Sequence, residues 1–200
     1  HFKKILKNYG QVLCHRQFLA SIVILGGVMF FQLLFAAVGP FVVQEELGYS
    51  SIVYGNLSLC IGTAYLLGTL MNRFLVHRYS AQIIMAMGLV CIMLGCLLQL
   101  GFGLCLPLSL FTLVVPIWVI VLGCGFIFAN VTTASLQLFP KKRGSASAVQ
   151  VGSLVLIGSL ILYGISHVQI SSVLQLFPFV LTIVLVQTLL FVFSFRKILS

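Results

Sequence analysis

The chain has 200 residues, 61% of them hydrophobic and 6% charged, with a net charge of +9. Roughly a quarter of an ordinary soluble domain is charged, so no aqueous fold could hide this much apolar surface, and we expect an all-α membrane protein. By number alone the bases would suggest nucleic acid. They occur as short clusters at the ends of apolar runs, where they anchor a chain against anionic headgroups, so the expected partner is the lipid bilayer and not nucleic acid.

A bilayer span takes about 20 apolar residues, and six runs reach that length. A basic segment, residues 1–17 with Lys3, Lys4, Lys7 and Arg16, leads into a first span at 18–41. Glu45 and Glu46 occupy the loop before a second span at 51–76, and Arg73 and Arg78 mark the return to a third at 81–102. The fourth, 108–139, is long enough to tilt or to carry an interfacial extension. Lys141, Lys142 and Arg143 precede a fifth span at 144–166, and a sixth at 172–195 ends on Arg196 and Lys197 in a tail of residues 196–200. Connections this short predict that helices adjacent in sequence are antiparallel neighbours in space. Pro40, Pro107 and Pro140 fall at span ends, where a missing N–H is tolerated, whereas Pro116 and Pro178 fall about two turns inside and are expected to kink their helices.

All eleven Lys and Arg lie on one side of this layout and both carboxylates on the other. Loops rich in Lys and Arg stay cytoplasmic, which predicts both termini in the cytoplasm. The chain opens on His1, not Met, so we expect a fragment, a processed product or a segment of a longer chain; the first run is too long for a cleavable signal. Cys14, Cys60, Cys91, Cys96, Cys105 and Cys124 form no CxxC pair or Cys/His cluster and read as small hydrophobes, not as a metal or disulfide set.

Apart from Arg73 near the end of the second span, no span contains Asp, Glu, Lys or Arg. There is no intramembrane carboxylate to carry a proton, no metal motif and no histidine at mid-membrane beside a serine, so we expect neither an enzyme nor a cofactor. Neutral polarity remains. Phe126, Asn130, Thr133 and Gln137 share one face of helix four; Asn56, Cys60 and Thr63 share one of helix two; Gln32 lies beside Phe31 and Phe35 on helix one. Amides in hydrocarbon need partners, so these faces are expected to turn inward, either for interhelical hydrogen bonds or to line a wet cleft. Gln32, Asn56, Asn130 and Thr133, with Phe31, Phe35 and Phe126 as apolar wall, are the candidate binding residues for an amphipathic organic molecule. Gln187 lies deeper in helix six than a lipid-facing helix would suggest. Small residues recur at Gly55, Gly62 and Gly68 on helix two and at Gly144, Ala148 and Gly152 on helix five, a pattern that suits close helix packing.

Three stretches resemble a known family. The run from Gly68 through Asn72, Arg73 and His77 to Arg78 is similar to the second-half copy of the loop motif of the major facilitator superfamily (MFS). The stretch from Pro40 through Glu45, Glu46 and Gly48 to Ser50, followed by Tyr54 and Gly55, resembles the first outer loop of the second half in drug exporters of the bicyclomycin/chloramphenicol-resistance (Bcr/CflA) type. The run from Phe128 through Asn130 to Ser135, then Gly144 to Ala148, is similar to the fourth and fifth helices of that half. The resemblance extends roughly from Arg16 to Lys197. It implies an MFS half with 3+3 inverted repeats, in a bacterial inner membrane, that works with an N-terminal six-helix half in proton-coupled export of drugs or other amphipathic molecules. Gly68, Asn72, Arg73 and Arg78 would then form the conformational loop motif, with Arg73 bonding helix-end carbonyls or a partner carboxylate. The proton-coupling carboxylates of the family usually belong to the first half, and nothing here replaces them. The alternative is a non-transporting fragment or helix-binding scaffold from a truncated transporter gene.

Overall fold

The computed structural model describes residues 9–167, 177–191 and 193. Lys3, Lys4, Lys7, Arg196, Lys197, the start of the sixth span and the C-terminal tail lie outside them. The main elements are helices α1 (Arg16–Phe41), α2 (Ser51–Leu75), α3 (Ala81–Cys105), α4 (Leu110–Gln137), α5 (Arg143–His167) and α6 (Phe177–Leu190). Five stretches are long and apolar enough to cross a membrane: Arg16–Glu46, Ser51–Leu75, Ala81–Cys105, Leu110–Gln137 and Arg143–His167. This composition and length make the chain a multi-pass all-α membrane protein.

The helix ends follow local chemistry. Pro40 sits in the last turn of α1, which continues as a π-helical turn over Val42–Glu46, closed by Leu47 N–H donating to the Val42 carbonyl at 3.0 Å. Gly48, at φ +71°, then reverses the chain in a backbone conformation that costs glycine little. Helix α4 starts on a capping box, in which Ser109 N–H donates to Thr112 Oγ1 at 2.9 Å and Thr112 N–H to Ser109 Oγ at 3.3 Å.

Helices α1 and α4 are central. Of their most apolar stretches 67% and 56% are buried, against 17% in both α2 and α5. The main core joins Leu25, Val28 and Phe31 of α1 to Met85 and Ile92 of α3 and Cys124 of α4, with Leu154 of α5 and Val184 of α6. In lipid the tails are as apolar as the side chains, so helices associate through close packing. Glycine provides it on α4. A Cβ on Gly123 would lie 2.5 Å from the Gly88 carbonyl oxygen of α3, and one on Gly95 would lie 2.8 Å from the Pro116 oxygen. Gly68 of α2 has no room for a Cβ against the Leu122 carbonyl, and one on Gly125 would lie 2.9 Å from the Tyr65 oxygen. The other small residues of the expected stripes behave differently: Gly55, Gly62, Gly144 and Gly152 face open space.

Among the described residues, extensive packing between helices adjacent in sequence occurs only for α3 and α4. Helices α2 and α3, joined by residues 76–80, both pack on α4 and scarcely on each other. A short turn fixes only two helix ends; over 25 residues the glycine faces decide lateral contact. The result is two parallel pairs. Along α2 and α4, Ala64 clusters with Val121, Gly68 meets Gly125 and Asn72 meets Asn130. Along α1 and α5, Phe18 clusters with Ala146, Gly26 abuts Ile157 and Val38 clusters with Ile165. The packed pairs α1–α5 and α4–α2, α1–α6 and α4–α3, α1–α4, and α3–α6 map onto themselves when the first three helices are exchanged in order with the last three. The described bases gather at the end where α1 and α5 begin and α2 and α4 finish; Glu45 and Glu46 sit at the other.

Candidate functional site

The polar stripe of α4 divides. Phe126 is buried and its Cβ lies 3.1 Å from where Gly88 of α3 would carry one. Asn130, one turn on, is also buried; its Nδ2 donates to Asn72 Oδ1 at 2.6 Å and to the Phe126 carbonyl at 2.7 Å. These residues face the seam where α2 and α3 meet on α4. Beyond Asn72 that seam opens, and Thr133 and Gln137 are exposed, with Thr133 Oγ1 donating back to the Ala129 carbonyl at 2.9 Å.

On α1, Phe31 is buried in the main core, edge-on to Phe30 at 5.8 Å. Phe35 is half-buried and stacks on Tyr54 of α2, with ring centroids 5.7 Å apart and an interplanar angle of 29°. Gln32, between them in sequence, is exposed, as are Asn56, Cys60 and Thr63 on α2. The structure therefore sorts the candidate residues: Phe31, Phe126 and Asn130 hold helices together, while Gln32, Asn56 and Thr133 are uncovered. Nor do they share one depth. At 1.5 Å per residue, Gln32 lies about 24 Å along α1 from the basic end, whereas Asn130 lies about 10 Å from that same end of α4.

The loop motif supplies packing first. Gly68 is the tight contact on α4 and Asn72 the hydrogen-bond partner of Asn130. Arg73 and Arg78 are exposed, and among the described residues neither side chain makes a hydrogen bond.

Gln187 is buried more completely than any other candidate amide. Its Nε2 donates to the Ile24 carbonyl of α1 at 3.0 Å, and its side chain fills the space over Gly27, where a Cβ would collide with it. Its Oε1 is buried without a hydrogen-bond partner among the described residues. Gln187 lines a gap with Ile24, Met85, Leu89, Ile127, Val131 and Phe191. With about 10 Å³ of enclosed space, the gap is on the scale of a single water and far too small for a drug-sized ligand. All six cysteines are free thiols, Cys96 and Cys124 buried and Cys14, Cys60 and Cys105 exposed, and no group of three metal-ligating side chains occurs among the described residues.

Sequence reasoning missed two features. Gly123 and Gly125 of α4 lie against the backbones of α3 and α2 with no room for a side chain, and neither belonged to the small-residue stripes read from the sequence. The segment before α1 packs inward: Val12 is fully buried with Phe18 and Ala146, the His15 ring meets Phe139 edge-on at 5.3 Å, and Lys142 Nζ donates to Gln11 Oε1. Compared with known proteins, the chain matches no family model and no curated relative.

Proposed function

We propose that the chain is a six-helix half of a secondary active transporter of the major facilitator type. With an N-terminal six-helix half it would export amphipathic small molecules across a bacterial inner membrane, coupled to protons. The observation that carries this reading is polarity left uncovered on membrane-length helices: Gln32, Asn56 and Thr133 are exposed on α1, α2 and α4. An amide facing acyl chains is costly. A cleft running through the depth of the bilayer, closed by a second half, relieves that cost at all three depths. The exchange symmetry of the helix pairs supports 3+3 inverted repeats. Helices α2 and α5, which correspond under that exchange, are the least covered and suit the seam with a second half. The two carboxylates of the chain, Glu45 and Glu46, lie at the outer end of the first membrane-length stretch and none lies deeper in a described span, so this reading gives the proton carrier to the partner half and leaves Gln32, Asn56 and Thr133 to set substrate choice.

Proteoliposomes holding the chain together with its N-terminal half test the reading. A pH gradient should drive uptake of a cationic amphipath such as ethidium, and Gln32→Leu should change the ranking of several such substrates while gradient-driven uptake of some of them persists. A folded two-half complex that moves no substrate under any gradient would instead favour the scaffold alternative.

A further inference from the structure

One corner of the bundle concentrates positive charge with nothing to balance it. Arg16 opens α1; Lys141, Lys142 and Arg143 lead into α5, more than 120 positions later in the chain. The fold joins them. Gln11 accepts a hydrogen bond from Lys142, and Phe139 receives both His15 and Phe18 edge-on, at 5.3 and 5.6 Å. Arg16, Lys141 and Arg143 are exposed, and Lys142 is half-buried with ammonium protons left over after the bond to Gln11. Neither helix has an acid in its first turn, so these cations also face the positive ends of two helix dipoles. The only two carboxylates of the 200-residue chain, Glu45 and Glu46, lie beyond the far end of α1, about 39 Å away along its 26 residues. The corner cannot be neutralised from within this chain. Below it, Leu19 and Val23 continue the Arg16 face of α1 as exposed apolar side chains.

We infer that this corner is a binding site for the phosphate headgroup of an anionic diacyl phospholipid, with its acyl chains along Leu19 and Val23. The two packed segments bring four cations to one corner, at the level where a membrane-spanning helix meets the headgroups, with apolar surface directly beneath. That combination fits an anionic lipid better than a free anion, which would gain nothing from Leu19 and Val23. The site rests only on the membrane-spanning character of α1 and α5, not on the transport reading, so it stands or fails separately from it.

The test uses the protein in phosphatidylcholine nanodiscs containing a minor fraction of photoactivatable phosphatidylglycerol. Labelled peptides should come from residues 9–23 and 138–146 in preference to residues 70–80, which carry Arg73 and Arg78 at the same end of the bundle. Arg16→Gln with Lys142→Gln and Arg143→Gln should lower corner labelling about tenfold, whereas Arg73→Gln with Arg78→Gln should leave it unchanged. Labelling spread evenly over both regions of the wild-type protein, a measurement that needs no variant to fold, would overturn the proposal in favour of diffuse surface charge. Competition by millimolar inorganic phosphate as effective as that by unlabelled phosphatidylglycerol would also overturn it, identifying a free-anion site instead.

Discussion

At the residue scale, Asn130 takes the first of its two expected roles, an interhelical hydrogen bond, with Asn72 as the partner. Asn130 and Asn72 are 58 positions apart and bond at 2.6 Å, holding α2 on α4. Interhelical hydrogen bonds in membrane proteins average about 0.6 kcal/mol with a maximum near 1.7. A double-mutant cycle on Asn72→Ala and Asn130→Ala, read by unfolding in mixed micelles, should give a coupling energy in that range. A coupling of zero would mean that the pair is geometric coincidence. Gln187 gives a sharper case. Gly27→Ala should destabilise the bundle by about 1–3 kcal/mol, because the new methyl overlaps the Gln187 amide. Shortening the obstructing side chain in the Gly27→Ala, Gln187→Ala double variant should recover part of that loss. If the double variant is as unstable as the sum of the two singles, Gln187 is not what excludes the methyl.

At the element scale, α4 is the organising helix, and its glycine faces are the reason. Gly123→Val would drive a branched side chain into the Gly88 carbonyl, and we expect separation of α3 from α4, seen as faster proteolysis of the 106–109 turn in detergent. Valine at Gly152, which faces open space, should leave cleavage unchanged. The charge asymmetry belongs to this scale too. With Lys142 and Glu45 at opposite ends of the bundle, a membrane-impermeant maleimide added outside cells should label Glu45→Cys and spare Lys142→Cys in a background free of other cysteines. The reverse labelling pattern would turn the proposed topology over.

At the scale of the whole molecule, α1 and α4 are the most buried of the five membrane-length stretches and α2 and α5 the least. The candidate binding residues follow the same division, and substitutions should separate them. Asn130→Leu should act through folding, lowering the amount of protein in the membrane, whereas Gln32→Leu and Asn56→Leu should leave that amount unchanged and alter which substrates are moved. Equal expression and an altered substrate range for all three would return Asn130 to the cleft.

Composition and charge placement determined that this is a helical membrane chain, because backbone in lipid is satisfied only in helices or closed barrels and continuous apolar runs of about 20 residues match a helix, not a barrel strand. The first five apolar runs also begin and end within a few residues of helices in the structure, since helix ends are set locally by Pro40, the Ser109 cap, Gly48 and the basic clusters. Lateral arrangement was not legible. In lipid all apolar faces are alike in transfer energy, so the periodicity that marks a buried face in water says little about which helix meets which. That was decided by where backbones come within reach of one another, at Gly68 on Leu122, Gly88 on Gly123 and Gly95 on Pro116, and only the tertiary structure displays it. The same reason explains the site. The sequence placed Phe126, Asn130 and Thr133 on one face of α4, but whether each met a neighbour was decided by tertiary contacts: Phe126 lies against Gly88, Asn130 bonds Asn72, and Thr133 is exposed.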